Sequence, residues 1–235
     1  FPLRLLPQGA DDLGRTGDVA GTLTSAGGAF TFLAVPAGDY ILKVVQIPRP
    51  PVPNAPTAAI AIGSGMTVMT SGSPTLEPPP IPAEPTLWAT LPVSIGDADV
   101  SGMSVVLRTG LRVSGRVEFE GAADKPPPEQ LTRIPVLIEP VDGQMDRTVT
   151  PPGRIDAKGH FTSYGVPGGR YYVRAPTAPT GWTFKGAFLG ERDISDVPLE
   201  LEATDVSDVV LTFTDRPASL SGTVQITERS ARDGV

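Results

Sequence analysis

Lys158-Gly159-His160-Phe161-Thr162-Ser163-Tyr164-Gly165-Val166-Pro167-Gly168-Gly169-Arg170-Tyr171-Tyr172-Val173-Arg174 reads as a β-hairpin, and the chain contains it twice. The other copy is Gly27-Gly28-Ala29-Phe30-Thr31-Phe32-Leu33-Ala34-Val35-Pro36-Ala37-Gly38-Asp39-Tyr40-Ile41-Leu42-Lys43. In each, a Gly turn launches a short strand, Val-Pro-x-Gly makes a second turn, and a Tyr opens the returning strand. Pro presets φ near −65°, Gly accepts the backbone of a tight reversal, and Tyr can bury its ring while its hydroxyl finds a partner.

Working outward, Phe30 and Phe161, Val35 and Val166, and Gly38 and Gly169 are each 131 residues apart, so the spacing within the motif is held. Such an internal repeat takes precedence over any single-domain reading. Val93 to Gly102 matches Leu199 to Asp208, and Val113-Ser114-Gly115-Arg116-Val117 matches Leu220-Ser221-Gly222-Thr223-Val224. Pro2 to Gly9 aligns with Pro135 to Asp142, so the chain opens in the middle of a repeat. The second unit has an earlier strand, Leu111 to Phe119, with Leu111, Val113, Val117 and Phe119 on one face at period two. The first unit has no equivalent.

Chain length, 235 residues, suits about two domains. There are 27 Pro and 26 Gly, and apolar runs with helical spacing are missing, so the class is all-β. A net charge of −7 argues against nucleic acid or an anionic membrane as partner. No cysteine is present, which excludes disulfides and thiol chemistry. No apolar run approaches the ~18 residues of a membrane span. The chain begins at Phe1 rather than Met, so the lack of an export signal carries little weight.

These features divide the chain into a first β-sandwich over residues 1–107, a complete second one over 108–214, and a spare strand in 215–235. Within the first, residues 47–85 form a proline-rich insert in which Ala58 to Thr70 can make an extra hairpin. Phe30 to Phe32 and Met103 to Leu107 are expected as strands of the first unit, and Lys125 to Gln130 as a polar loop of the second. One strand is thus lacking at one end and one is spare at the other. Loss of a core-facing strand uncovers about three large apolar contacts at ~1.5–3 kcal/mol each, a sum comparable to the stability of a whole domain. If the spare strand of one molecule fills the gap in the next, the contact is head-to-tail and does not close, which generates filaments. The donor positions are Leu220, Gly222, Val224 and Ile226, and the acceptor groove is formed by Leu3, Leu5, Phe30, Phe32 and Tyr40. A slice of a longer repeat protein explains the same imbalance, and both explanations stay open.

The pattern Gly-x-Phe, Val-Pro-x-Gly-x-Tyr, Asp-Val-Ser-Gly and Val-Ser-Gly-Arg-Val resembles carboxypeptidase regulatory-like domains, the transthyretin-like or prealbumin-like sandwiches related to Cna B-type domains. Thr86 to Gly96 and Leu211 to Pro217 look like segments of long secreted acidobacterial proteins built from such repeats. The resemblance implies two tandem Greek-key sandwiches, an extracellular location and no catalytic activity of the domain. It also raises the Lys-to-Asn or Lys-to-Asp isopeptide bond of Cna B-type relatives. Here the opening strand of the second unit carries Arg112 and Arg116, and that unit has no Asn, which disfavours the bond.

Candidates for chemistry are few. His160 is the single histidine and its repeat partner is Ala29, so no His-based triad or His cluster exists. Asp97 with Asp99, Asp193 with Asp196 and Asp205 with Asp208 lack the spacing of a calcium loop and read as Asx turns. No catalytic residue, metal site or cofactor is expected. Trp182, beside Gly181, is the one aromatic retained as a possible glycan-stacking residue. The reading favoured is an extracellular structural protein whose partners are further copies of itself, joined head to tail. The alternative is a carbohydrate- or surface-binding module of a longer secreted protein.

Overall fold

In the computed structural model the described residues are 1–9, 18–49, 57–62, 65–70, 80–141 and 151–224. They form an all-β structure with one four-residue helix, and the strands divide between two larger sheets and a separate hairpin. The N-terminal half contributes β1 (Pro2–Pro7), β2 (Ala20–Leu23), β3 (Gly38–Gln46), β6 (Leu87–Ile95) and β7 (Arg108–Thr109), in the order β2-β1-β3-β6-β7. Between β3 and β6 in sequence, β4 (Thr57–Ile62) and β5 (Gly65–Thr70) pair, among the described residues, only with each other. That hairpin is where the proline-rich insert is relieved by small apolar and β-branched residues.

The C-terminal half contributes β8 (Val113–Glu120), β9 (Pro135–Pro140), β10 (Gly153–Ile155), β11 (His160–Thr162), β12 (Gly169–Arg174), β13 (Thr183–Leu189), β14 (Arg192–Asp193), β15 (Leu199–Leu201) and β16 (Val206–Thr214). Their order is β14-β13-β16-β8-β11-β10-β9-β12-β15, and one of the two larger sheets is curled into a half-barrel. The loop expected over Lys125 to Gln130 is partly helical, α1 (Pro128–Leu131), with Pro at its start, where the missing N–H costs nothing, and Leu131 turned into the core.

The repeat is visible atom by atom. Tyr40 donates its hydroxyl to the Pro36 carbonyl at 2.9 Å, and Tyr171 donates to Pro167 at 2.8 Å. Both rings are buried, so each hydroxyl removed from water has its partner within the same turn. The preceding turns match as well, through Ser25 N–H to Ala29 and Gly28 N–H to Ser25 in one copy, and Asp156 N–H to His160 and Gly159 N–H to Asp156 in the other. The order β2-β1-β3-β6 in the first half is the order β10-β9-β12-β15 in the second.

The halves differ in what covers those four strands. In the C-terminal half the core holds Val113, Val136, Phe161, Val173, Leu211 and Phe213, each at most 2% exposed, contributed from across its sheet. In the N-terminal half the fully buried cluster is only Leu3, Leu5, Tyr40, Leu42, Val44, Ala89 and Val93, all from β1, β3 and β6. Phe30 to Phe32 and Met103 to Leu107, both expected as strands, belong to none here. They lie over the cluster partly buried, through Phe30, Phe32, Met103, Val105 and Leu107. Their composition suits strands, but a strand needs a hydrogen-bonded neighbour, and none is present among the described residues.

Two substitutions test this account of the C-terminal half in equilibrium urea unfolding. Tyr171→Phe removes one buried hydroxyl contact and is expected to lower stability by about 1 kcal/mol. Gly115→Ala is expected to cost more, about 2–3 kcal/mol, because an added Cβ would sit 1.7 Å from the Val209 carbonyl oxygen.

Candidate functional site

The site is best defined by its intact version. In the C-terminal half β8 is the central strand, antiparallel to β11 on one side and parallel to β16 on the other. Gly115 stands opposite Phe161 and also opposite Val209. The register with β16 shifts between Val206 and Val209, where Asp208 takes a positive φ of 65°. This bulge drives the Val209 carbonyl against Gly115 and leaves no room for a side chain there. Ser163 closes the other side, its N–H donating to the Val113 carbonyl and its hydroxyl accepting from the Val113 N–H, both at 2.8 Å.

The neighbours of β8 both have counterparts in the N-terminal half. Phe30 stands 131 residues before Phe161, and Met103, Val105 and Leu107 stand 106 before Val209, Leu211 and Phe213. Gly102, 106 residues before Asp208, shares its positive φ at 72°, without a strand pair beside it. Phe30 to Phe32 and Met103 to Leu107, the counterparts of the two neighbours of β8, are thus not joined by a strand among the described residues. Their exposure reflects this: Val106 is 76% exposed, whereas its counterpart Thr212 is 3% exposed.

Of the acceptor residues expected from sequence, Leu3, Leu5 and Tyr40 form the buried floor and not a groove wall, at 2%, 2% and 6% exposure. Strand β1, which carries Leu3 and Leu5, pairs with β3 in the same sheet, and the Tyr40 ring folds back over Gly38. Phe30 and Phe32 do lie at the open edge, edge-on to each other with ring centroids 6.0 Å apart. Sequence reading missed the opposite edge, Met103, Val105 and Leu107, and the glycine seat. Both were available as signals in the repeated Ser-Gly-x-Val and in the 106-residue offset.

The expected donor segment is extended away from the rest of the molecule. Ala218 to Val224 has no strand pairing, Leu220 and Val224 are 100% and 98% exposed, and an added Cβ at Gly222 meets nothing within 4 Å. Ile226, the fourth donor position, lies outside the described residues. The chain leaves β16 through Asp215, whose carboxylate accepts from the N–H groups of Ala122 and Ala123 at 2.7 and 2.8 Å. The Ala123 N–H, then the Ala122 N–H and the Arg216 charge, hold the Asp215 carboxyl below its ordinary value. The start of the tail is thereby clasped to the end of β8.

The remaining candidates sit elsewhere. Trp182 is 8% exposed, its ring edge-on to Phe119 at 4.8 Å, so the open face needed for glycan stacking is absent. The turn at Gly181 folds the indole under the sheet to fill space beside Phe119 and Phe213. His160 is exposed on β11 near Asp156, at 3.6 Å. Asp193 accepts from the Ser195 N–H two residues on, as an Asx turn does, whereas Asp205 accepts from the Arg112 N–H, a long-range bond to the start of the β8 segment and not an Asx turn. Among the described residues no group of three or more His, Cys, Asp or Glu is placed to hold a metal, and no helix is long and apolar enough to cross a membrane. A cleft of about 1320 Å³ lies between the halves, lined among others by Lys43, Trp88, Pro135, Tyr164 and Arg170.

Comparison with known proteins returns no matching family model, no matching curated protein and no matching solved structure.

The clasp has a pH signature. A carboxyl with a depressed folded-state pKa contributes stability that is present above its unfolded value and lost as pH falls through the folded one. In an NMR titration the Ala122 and Ala123 amide resonances are expected to shift together with a midpoint below the ordinary aspartate range, and Asp215→Asn is expected to abolish that shift. A midpoint in or above the ordinary range would contradict the clasp.

Proposed function

We propose that this chain is an exported, non-enzymatic structural protein of two prealbumin-like sandwiches, assembling head to tail as the Ala218 to Ile226 segment of one molecule enters the N-terminal half of the next. One observation carries the reading: the N-terminal half keeps, partly buried over its core, the two segments whose counterparts flank β8, and the sequence twin of β8 lies exposed after β16. The repeat offsets fix the register. Gly222 takes the place of Gly115, opposite Phe30 and Met103, with Val224 opposite Val105 and Ile226 opposite Leu107.

Burial of Leu220, Val224 and Ile226 contributes roughly 1.5–3 kcal/mol each, and the two new ladders add their hydrogen bonds. Against this stands an association cost of about 4–15 kcal/mol, so the joint needs both edges engaged to be stable. The acceptor is in one half and the donor beyond the other, so each union leaves a free donor and a free acceptor, and growth does not close. Extracellular placement and the prealbumin-like class rest on the sequence resemblance. The glycan-binding alternative is weakened by the burial of Trp182.

Negative-stain microscopy and sedimentation of the 235-residue chain test the proposal, beside Gly222→Val and a chain ending at Asp215. Filaments are expected from the unaltered chain and monomers from both variants. An added Cβ at Gly222 meets nothing within 4 Å among the described residues, so Gly222→Val is expected to change monomer stability by less than about 0.5 kcal/mol. Its Cβ acts only in the joint, against the carbonyl of Met103. Monomers from all three chains, or filaments from Gly222→Val, would overturn the proposal. Monomers throughout would instead assign the open position to a strand of an adjoining repeat.

A further inference from the structure

We propose that the β4–β5 hairpin is the last piece of the N-terminal half, and that it docks along Met103 to Leu107 only once a donor strand occupies the neighbouring position. This rests on the strand-complementation reading above. The hairpin's place in the chain is the first observation. In the C-terminal half the order along the sequence is β12, then the hairpin β13–β14, then β15 and β16, and the hairpin pairs through β13 with β16 from Thr183 opposite Thr214 to Leu189 opposite Val209. In the N-terminal half the order is β3, the hairpin β4–β5, β6 and then Met103 to Leu107. Thus β4–β5 holds the sequence position of β13–β14 without its pairing: its only strand contacts among the described residues are internal.

The second observation is that Met103 to Leu107 pairs with no strand among the described residues. Val106 is 76% exposed, while Thr212, at the same place on β16, is 3% exposed with β13 and β8 flanking it. The third is composition. From Pro50 to Leu76 there is no charged residue, and the hairpin itself is Thr-Ala-Ala-Ile-Ala-Ile and Gly-Met-Thr-Val-Met-Thr. A lone two-stranded ribbon is marginal in water, and an uncharged apolar one lacks the Lys, Pro or bulge with which free sheet edges are protected. Such a ribbon is suited to being covered.

The order of events follows from what makes an edge. Met103 to Leu107 is not held in a sheet in the free chain, whereas β16 is held by β8 along its length. An irregular segment offers no regular row of N–H and C=O groups for a ladder. Donor insertion supplies the missing side, Met103 to Leu107 becomes a strand, and its outer edge then accepts β4. Assembly and completion of the fold are coupled, and each joint recruits a hairpin that belongs to the acceptor.

Hydrogen exchange by mass spectrometry on filaments of the full chain, beside monomeric Gly222→Val, tests this. Peptides within residues 57–70 are expected to exchange at least ~10-fold more slowly in filaments. A companion chain in which residues 57–70 are replaced by a Gly/Ser linker is expected still to form filaments, but with Met103 to Leu107 exchanging several-fold faster than in unaltered filaments. Filaments in which 57–70 exchanges as in the monomer, or in which the linker leaves Met103 to Leu107 unchanged, would overturn hairpin docking and leave strand complementation standing. Protection of 57–70 already present in the monomer would overturn the coupling. Failure of the unaltered chain to form filaments would overturn the underlying reading and this inference with it.

Discussion

The backbone of Gly115 beneath the Val209 carbonyl is the contact on which the C-terminal half depends. It lets β8 lie close to β16 through a bulge, and β8 in turn joins β16 to β11. Through that one strand the residues that fill the core from one side, Leu211 and Phe213 on β16 and Phe161 on β11, are held over those from the other, Val136 on β9 and Val173 on β12. Hydrogen bonding and packing are inseparable here: a central strand satisfies two rows of backbone groups, and its loss leaves both rows exposed.

The N-terminal half serves as an internal control. Its four-strand layer keeps the order, the turns and the Tyr-to-carbonyl bond of its twin, so local sequence is sufficient for that layer. Its other segments have the apolar residues, and Gly102 even keeps the positive φ of the bulge, yet they remain irregular. What they lack is a neighbour, not propensity. Strand formation in a sheet interior is a non-local property, decided by whether partners exist on both sides.

The same division explains what was legible in the sequence. The repeat, the Tyr hydroxyl partners and the span of β6 were readable because turns, register and alternation are local signals. The state of Phe30 to Phe32 and Met103 to Leu107 was not, because it depends on a strand far away in sequence. Trp182 looked accessible beside a turn glycine, but its burial follows from the space left beside Phe119 and Phe213. Gly115 was quoted as part of a repeated motif without its reason, since only the bulge opposite shows that a Cβ cannot be accommodated. The acceptor edge at Met103 to Leu107 was hidden for a related reason: as an expected strand it was counted as satisfied.

The parallel sense of β8 and β16 has a mechanical consequence. The chain enters the C-terminal half at the start of β8 and leaves it at the end of β16, and these points lie at opposite ends of a parallel pair. Tension applied through the two ends of this half therefore runs along the strands and loads their hydrogen bonds together in shear. An antiparallel terminal pair would be peeled open one bond at a time. A protein that bears load along its length gains resistance from this geometry without any covalent cross-link.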